Sequence, residues 1–208
     1  MSVIVGREVF LAALIPSLLL LACGSGAELR NIHTFSAADN PCSRYGCQGT
    51  FLAGVGWEDS RGENAFIITV ESKESGDGTE YTLSPARYVM LGDKPKVSWQ
   101  GRYSAKNMCD EEEGIIGDIE VTDLDEDGVA EVLYVYNVRG NCDVSPKEYG
   151  LLFHVGTDLY EITGTDDLQV NRGIPGNGEM TFSESFDSAP EGFRQHAQDV
   201  WNRLVPRD

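Results

Sequence analysis

Asp123, Asp125, Asp127 and Glu131 fall within nine residues, Asp123-Leu-Asp-Glu-Asp-Gly-Val-Ala-Glu131. Alternating carboxylates let one turn present several oxygens to a common centre. Gly128 permits the sharp turn that a Cβ would resist. Val129 can add a backbone carbonyl, and Glu131 an acid from across the loop. An all-oxygen set of this kind suits a hard cation, Ca²⁺ above all. The expected ligands are therefore Asp123, Asp125, Asp127, Val129 and Glu131; the alternative is an acidic turn that holds no metal. An EF-hand would need a bidentate Glu at loop position 12 and a helix on each side. This chain has Tyr134 there, and its flanks alternate like strands: Ile119 and Val121 before, Val129 to Val138 after.

Acidic loops set between strands, with the fourth acid at the ninth position, resemble those of FG-GAP and VCBS-type repeats. That resemblance implies Ca²⁺ in a structural role. One such loop without a fixed repeat period does not make a set of propeller blades.

The elements that must position this loop read as β. Ala65 to Ser72 alternates, with Phe66, Ile68 and Val70 on one face and Ile67, Thr69 and Glu71 on the other. Glu74 to Thr79 reads as a turn, and Tyr81 to Leu83, Arg87 to Leu91 and Lys96 to Tyr103 as shorter strands. Val129 to Val138 is apolar on both faces and reads as a central strand. Tyr149 to Val155 and Leu159 to Thr163 flank Gly156-Thr-Asp158, a hairpin signal. Near the C-terminus the period changes: Phe193, Ala197, Val200, Trp201 and Leu204 share one helical face. Ser188-Ala-Pro-Glu191 before it fits a capping box. The expected fold is mainly β: one antiparallel β-rich domain, a sandwich or propeller-like sheet, with a C-terminal amphipathic helix. That helix lacks the Lys/Arg-rich polar face of membrane-surface helices.

Val9 to Ala22 is apolar and too short for a confident span, and reads as a signal-peptide core. It ends Leu20-Leu-Ala-Cys23-Gly24, which resembles the bacterial lipobox. The resemblance implies cleavage before Cys23, lipidation of its sulfur and a membrane anchor. Gly24, where inner-membrane retention would use Asp, points to the outer membrane. The expected organisation is a signal peptide over 1–22, a lipidated cysteine, tether and disulfide-pinned loop over 23–49, and the β-rich domain with its helix over 50–208.

Lys and Arg total 16 against 34 Asp and Glu, a net charge of −18. Removing 1–22 takes away Arg7 and Glu8 together, so the balance holds. Such a surface repels nucleic acid and anionic headgroups. Cys42, Cys47, Cys109 and Cys142 remain besides Cys23, and an even count in an exported chain suggests two disulfides. Three pairings exist; the preferred one is Cys42–Cys47 with Cys109–Cys142. Zinc is a poor match to C-x₄-C without a second close pair or a nearby His.

A catalytic reading finds little. There is no G-x-S-x-G, H-E-x-x-H or P-loop. His33, His154 and His196 are scattered; His154, on a strand with Leu151, Phe153 and Val155, reads as a surface or satisfied histidine, and His196 the same. Asp110 to Glu113 can be drawn as part of a glycosidase pair but reads better as a solvated acidic loop. Trp57, Trp99 and Trp201 can stack on sugars, with core packing the default.

Trp57-Glu-Asp-Ser-Arg-Gly-Glu-Asn64, Trp99, Cys109-Asp110, the acidic loop, Tyr136, Cys142-Asp-Val-Ser-Pro146, Gly164-Thr165 and the Trp201 helix, in that order, resemble a poorly characterised bacterial family of exported proteins and lipoproteins. Some members are labelled surface polysaccharide biosynthesis proteins. The resemblance runs from Trp57 to Leu204. After Pro146 the chain departs from it, reading Lys-Glu-Tyr-Gly. It implies a compact β-rich domain and brings no catalytic residues to transfer. The expectation is a non-enzymatic, lipid-anchored envelope scaffold or binding module, with an envelope protein or polysaccharide as partner. The alternative is an enzyme or accessory factor in surface polysaccharide biosynthesis or processing.

Overall fold

The computed structural model describes residues 28–39, 41–75, 78–107, 114–139, 146–166 and 178–205. Two antiparallel sheets lie face to face. The first runs in the order β1 (Arg30–Thr34), β2 (Thr50–Asp59), β3 (Gly62–Ser75), β4 (Gly78–Leu91), β5 (Lys94–Gln100), with β6 (Tyr103–Asn107) also paired to β4. The second is a meander of β7 (Ile115–Thr122), β8 (Glu131–Arg139), β9 (Glu148–Val155), β10 (Asp158–Thr165) and β11 (Met180–Phe182). Neither sheet closes on itself, so the fold is a sandwich.

Side-chain alternation explains the layering. On β3, Phe66 and Ile68 enter the space between the sheets with Val55, Trp57 and Leu83. There they meet Val132, Tyr134, Tyr136 and Leu152 of the second sheet. Ala65 and Ile67 face the other way, under a short helix α1 (Pro41–Tyr45) that brings Tyr45, Cys42 and Cys47 onto the sheet. On β8 and β9, Leu133, Val135, Leu151 and Phe153 turn away from the first sheet and pack beneath α2 (Phe193–Leu204). Strands β8 and β9 are thus covered on both faces, which is why Val132 to Tyr136 and Tyr149 to Phe153 are apolar on both faces.

The mainly β expectation, the central strand, the β9–β10 hairpin and the helix stripe are all present. Phe193, Ala197, Val200 and Trp201 are each fully buried. The Cys42–Cys47 disulfide is formed. Cys23, Cys109, Cys142 and the Asp110 to Glu113 run lie outside the described residues.

Four expectations change. The segment read as a tether joins the fold by Arg30: β1 pairs with β2, and Tyr45 is buried. Hydrogen bonding along a sheet edge depends little on side-chain pattern, so this polar strand carries no period. Tyr81 to Leu83 and Arg87 to Leu91 are one continuous strand across Pro85. The Pro85 carbonyl accepts from Gly101 N–H at 2.9 Å. Its backbone therefore points away from β3, at the place where β4 exchanges partner β6 for β5, and the missing N–H costs no ladder bond. The stretch Lys96 to Tyr103 is instead two strands, β5 and β6, broken at Gly101, where a Cβ would lie 2.7 Å from the Trp99 ring and 2.9 Å from that of Tyr103. Finally, the capping box does not form. Gly192, in the left-handed region at φ 90°, is the cap of α2. Ser188 instead closes a 3-10 turn over Glu184–Ser188.

Candidate metal centre

The loop from Asp123 to Ala130 joins β7 to β8, and its own carboxylates organise it. Leu124 N–H donates to both oxygens of Glu131, at 3.2 and 3.0 Å, and Thr122 Oγ1 donates to Glu131 Oε2 at 2.8 Å. Gly128 N–H reaches back to the Asp123 carboxylate at 3.2–3.3 Å. Asp127 N–H donates to Asp125 Oδ1 at 3.2 Å. Two residues take positive φ to allow this, Glu126 at 57° and Gly128 at 78°.

The result is a group of three. Carboxylate oxygens of Asp123, Asp125 and Glu131 all lie within 4.8 Å of one another, and this group could hold a metal ion. Asp125 is exposed, Asp123 half-buried and Glu131 fully buried. Burial holds the Glu131 carboxyl above its ordinary range, and the nearby Asp125 charge adds to this; the Leu124 and Thr122 hydrogen bonds oppose it. A cation among these oxygens would favour their charged forms.

Asp127, expected as a ligand, is not in that group. Its Oδ1 accepts from Val129 N–H at 2.7 Å, an Asx turn onto its own loop. Asp127 lines a neighbouring cavity of about 310 Å³ with Arg61, Arg87 and Asp158.

The loop is clamped to the other sheet by residues that the sequence reading did not single out as a pair. Asp59 ends β2 with its side chain fully buried, and Oδ2 accepts from Trp57 Nε1 at 3.0 Å and from Ala130 N–H at 3.2 Å. Arg87 Nη2 lies 3.4 Å from the same oxygen, while Nη1 donates to the Ala130 carbonyl at 3.0 Å. Arg87 also sits over the Trp57 ring, 5.1 Å from its centroid. Ser60 N–H donates to the Gly128 carbonyl at 2.8 Å. One buried ion pair thus grips both backbone groups of Ala130, the residue between the loop and β8. Burial pulls the guanidinium down from its ordinary range, and Asp59 opposes that most strongly. The available signal was parity: Arg87 aligns across from Phe66 on β3, an inward position.

The remaining candidates are structural. Trp57 and Trp201 are in the core, and Trp99 is half-buried over Phe66. His33 bonds the Asn31 carbonyl at 2.7 Å. His196 lies 3.3 Å from Glu120, which Arg203 also pairs with, in keeping with a histidine near the surface. His154 is neither exposed nor satisfied: it is buried between the sheets, and neither ring nitrogen has a hydrogen-bond partner among the described residues. Its neighbour Phe153 faces α2, so His154 shares the opposite, inter-sheet face with Leu152. Among the described residues no helix is long and apolar enough to cross a membrane. No family model, curated protein or solved structure matches this chain.

Proposed function

We propose that this chain is a lipid-anchored protein of the bacterial cell envelope, a non-enzymatic scaffold or binding module whose acidic loop binds Ca²⁺ structurally. The observation that carries the Ca²⁺ reading is the convergence of Asp123, Asp125 and Glu131 on a loop whose end is held by the Asp59–Arg87 clamp. The donors are all oxygen, as Ca²⁺ prefers, and Val129 supplies a carbonyl from the same loop. A cation there braces the β7–β8 connection against the first sheet and offsets the repulsion among the acids. The anchor reading rests on Leu20 to Cys23, and the outer membrane on Gly24.

A ligand that binds only the folded state stabilises it by about 2.7 kcal/mol at a hundredfold excess over Kd. For a domain of this size that is a rise in Tm of about 5–10 °C. Calorimetry in millimolar-range Ca²⁺ against excess chelator should show this rise, and Asp125→Ala should remove it. Superimposable melts in the two conditions would sink the Ca²⁺ reading. The anchor has its own test. Cys23→Ser should abolish labelling by a fatty-acid probe in cells, and equal labelling of the variant would show that the acyl chain is elsewhere or absent.

A further inference from the structure

An imidazole sits inside the aromatic layer that holds the two sheets together. His154, on β9, is 2% exposed. The Trp99 ring of β5 meets it edge-on at 4.1 Å, Phe66 of β3 lies at 5.2 Å, and Tyr134 of β8 stacks near-parallel at 5.9 Å. Its cross-strand partners are apolar, Val132 on β8 and Leu159 on β10. Among the described residues neither ring nitrogen has a hydrogen-bond partner, and the buried Tyr134 hydroxyl has none either.

The charges around it offer a proton no welcome. On the first sheet, among the described residues, β3 and β5 present no titratable group to this face: β3 brings Asn64, Phe66 and Ile68, and β5 brings Trp99. Strand β4 presents Arg87, a cation already committed to Asp59 and the Ala130 carbonyl. On the second sheet, the acid sharing this face is Glu161, paired with Leu152 on β9 rather than with His154. It is half-buried, and burial raises its own carboxyl above the ordinary range. Glu131 belongs to the opposite face of β8, because its neighbour Val132 is the residue aligned with His154.

We propose that His154 is an acid-operated latch on the sheet interface. The neutral ring packs as one more aromatic side chain. The protonated ring brings a charge and a second donor into an aromatic layer where no carboxylate faces it among the described residues and a guanidinium is fixed nearby, so proton uptake drives it out of the cage and parts the sheets at Trp99 and Phe66.

The direction follows from linkage. Burial, with a smaller push from Arg87, holds the folded-state pKa down to about 3 from an ordinary 6.5. Between those values the opened chain binds a proton that the closed sandwich refuses. The contribution of His154 to interface stability is therefore fully present above pH 6.5 and is lost progressively as pH falls toward 3.

The test is an acid titration of the full protein and of His154→Phe, in excess chelator so that the outcome does not depend on cation binding by the loop. Near-UV circular dichroism and Trp fluorescence report the packing around Trp99. His154→Phe keeps a ring and removes the proton acceptor. Its loss of near-UV signal is expected at least one pH unit below that of the wild type, with matched spectra at pH 7.5. Coincident acid midpoints would overturn the proposal and assign the transition to carboxylates. If the variant fails to fold, imidazole nitrogen NMR of the wild type, assigned by substituting His33 and His196, decides. His154 should stay neutral until the packing signal is lost and then change with it. Independent protonation near pH 6.5 in the intact fold would refute the latch.

Discussion

Asp59→Ala is expected to cost about 3–5 kcal/mol of folding free energy, because it removes one member of a fully buried ion pair. Arg87 would be left 3% exposed with its charge uncompensated. Three donors would lose the same oxygen together: the Trp57 indole, the Arg87 guanidinium and the Ala130 amide. An unsatisfied buried donor carries a penalty of about 1–3 kcal/mol even when neutral. The pair itself contributes far less than its rupture costs, because desolvation offsets most of the attraction. The double variant Asp59→Leu with Arg87→Met should therefore recover the part of the loss due to the uncompensated guanidinium, while the Trp57 indole and the Ala130 backbone groups stay unpaired. Urea unfolding of the single and double variants checks both statements. A single-variant cost below about 1 kcal/mol, typical of exposed pairs, would show that the clamp does not hold the sheets.

Trp201→Ala should be comparably damaging, about 3–5 kcal/mol, as for other large aromatic truncations in cores. Trp201 has no exposed surface and lies with Phe193, Ala197 and Val200 against Leu133, Val135, Leu151 and Phe153. Its ring also packs where a Cβ on Gly164 would come within 2.9 Å, so the helix and β10 are fitted to each other. Trp201→Phe retains most of the buried area and should lose markedly less. Hydrogen exchange offers an independent readout, with protection falling first in α2 and then along β9. If Trp201→Ala costs no more than a change at exposed Asn202, the helix is not part of the cooperative fold.

The acidic loop was legible because its chemistry is local. Asp123, Asp125, Gly128 and Glu131 lie within one turn, and the flanking strands show their period in a handful of residues. Asp127 lies outside the group of three, and its Oδ1 accepts from Val129 N–H of the same loop. The capping box does not form: Ser188 to Glu191 has the right spacing, yet the preceding 3-10 turn uses Ser188, and helix geometry begins only after Gly192.

Periodicity and composition, taken alone, determined the β class, the doubly covered central strand, the hairpin and the helix stripe. Each is encoded over short separations by which side chains prefer water. Only the tertiary structure decided that Arg30 to Thr34 is a strand, since an edge strand is held by backbone hydrogen bonds that any sequence can make. It also decided the fate of Asp59, Arg87 and His154. Asp59 sits at the end of a strand beside a polar turn, and His154 in a strand that alternates plausibly with either face exposed. Arg87 is 28 residues from its acid, and His154 is 55 residues from the Trp99 ring that it touches. Whether a buried charge is paired, or a buried imidazole is left without an acceptor, depends on which face of the opposing sheet comes down on it. That is settled by the packing of two sheets, not by the order of residues within either one.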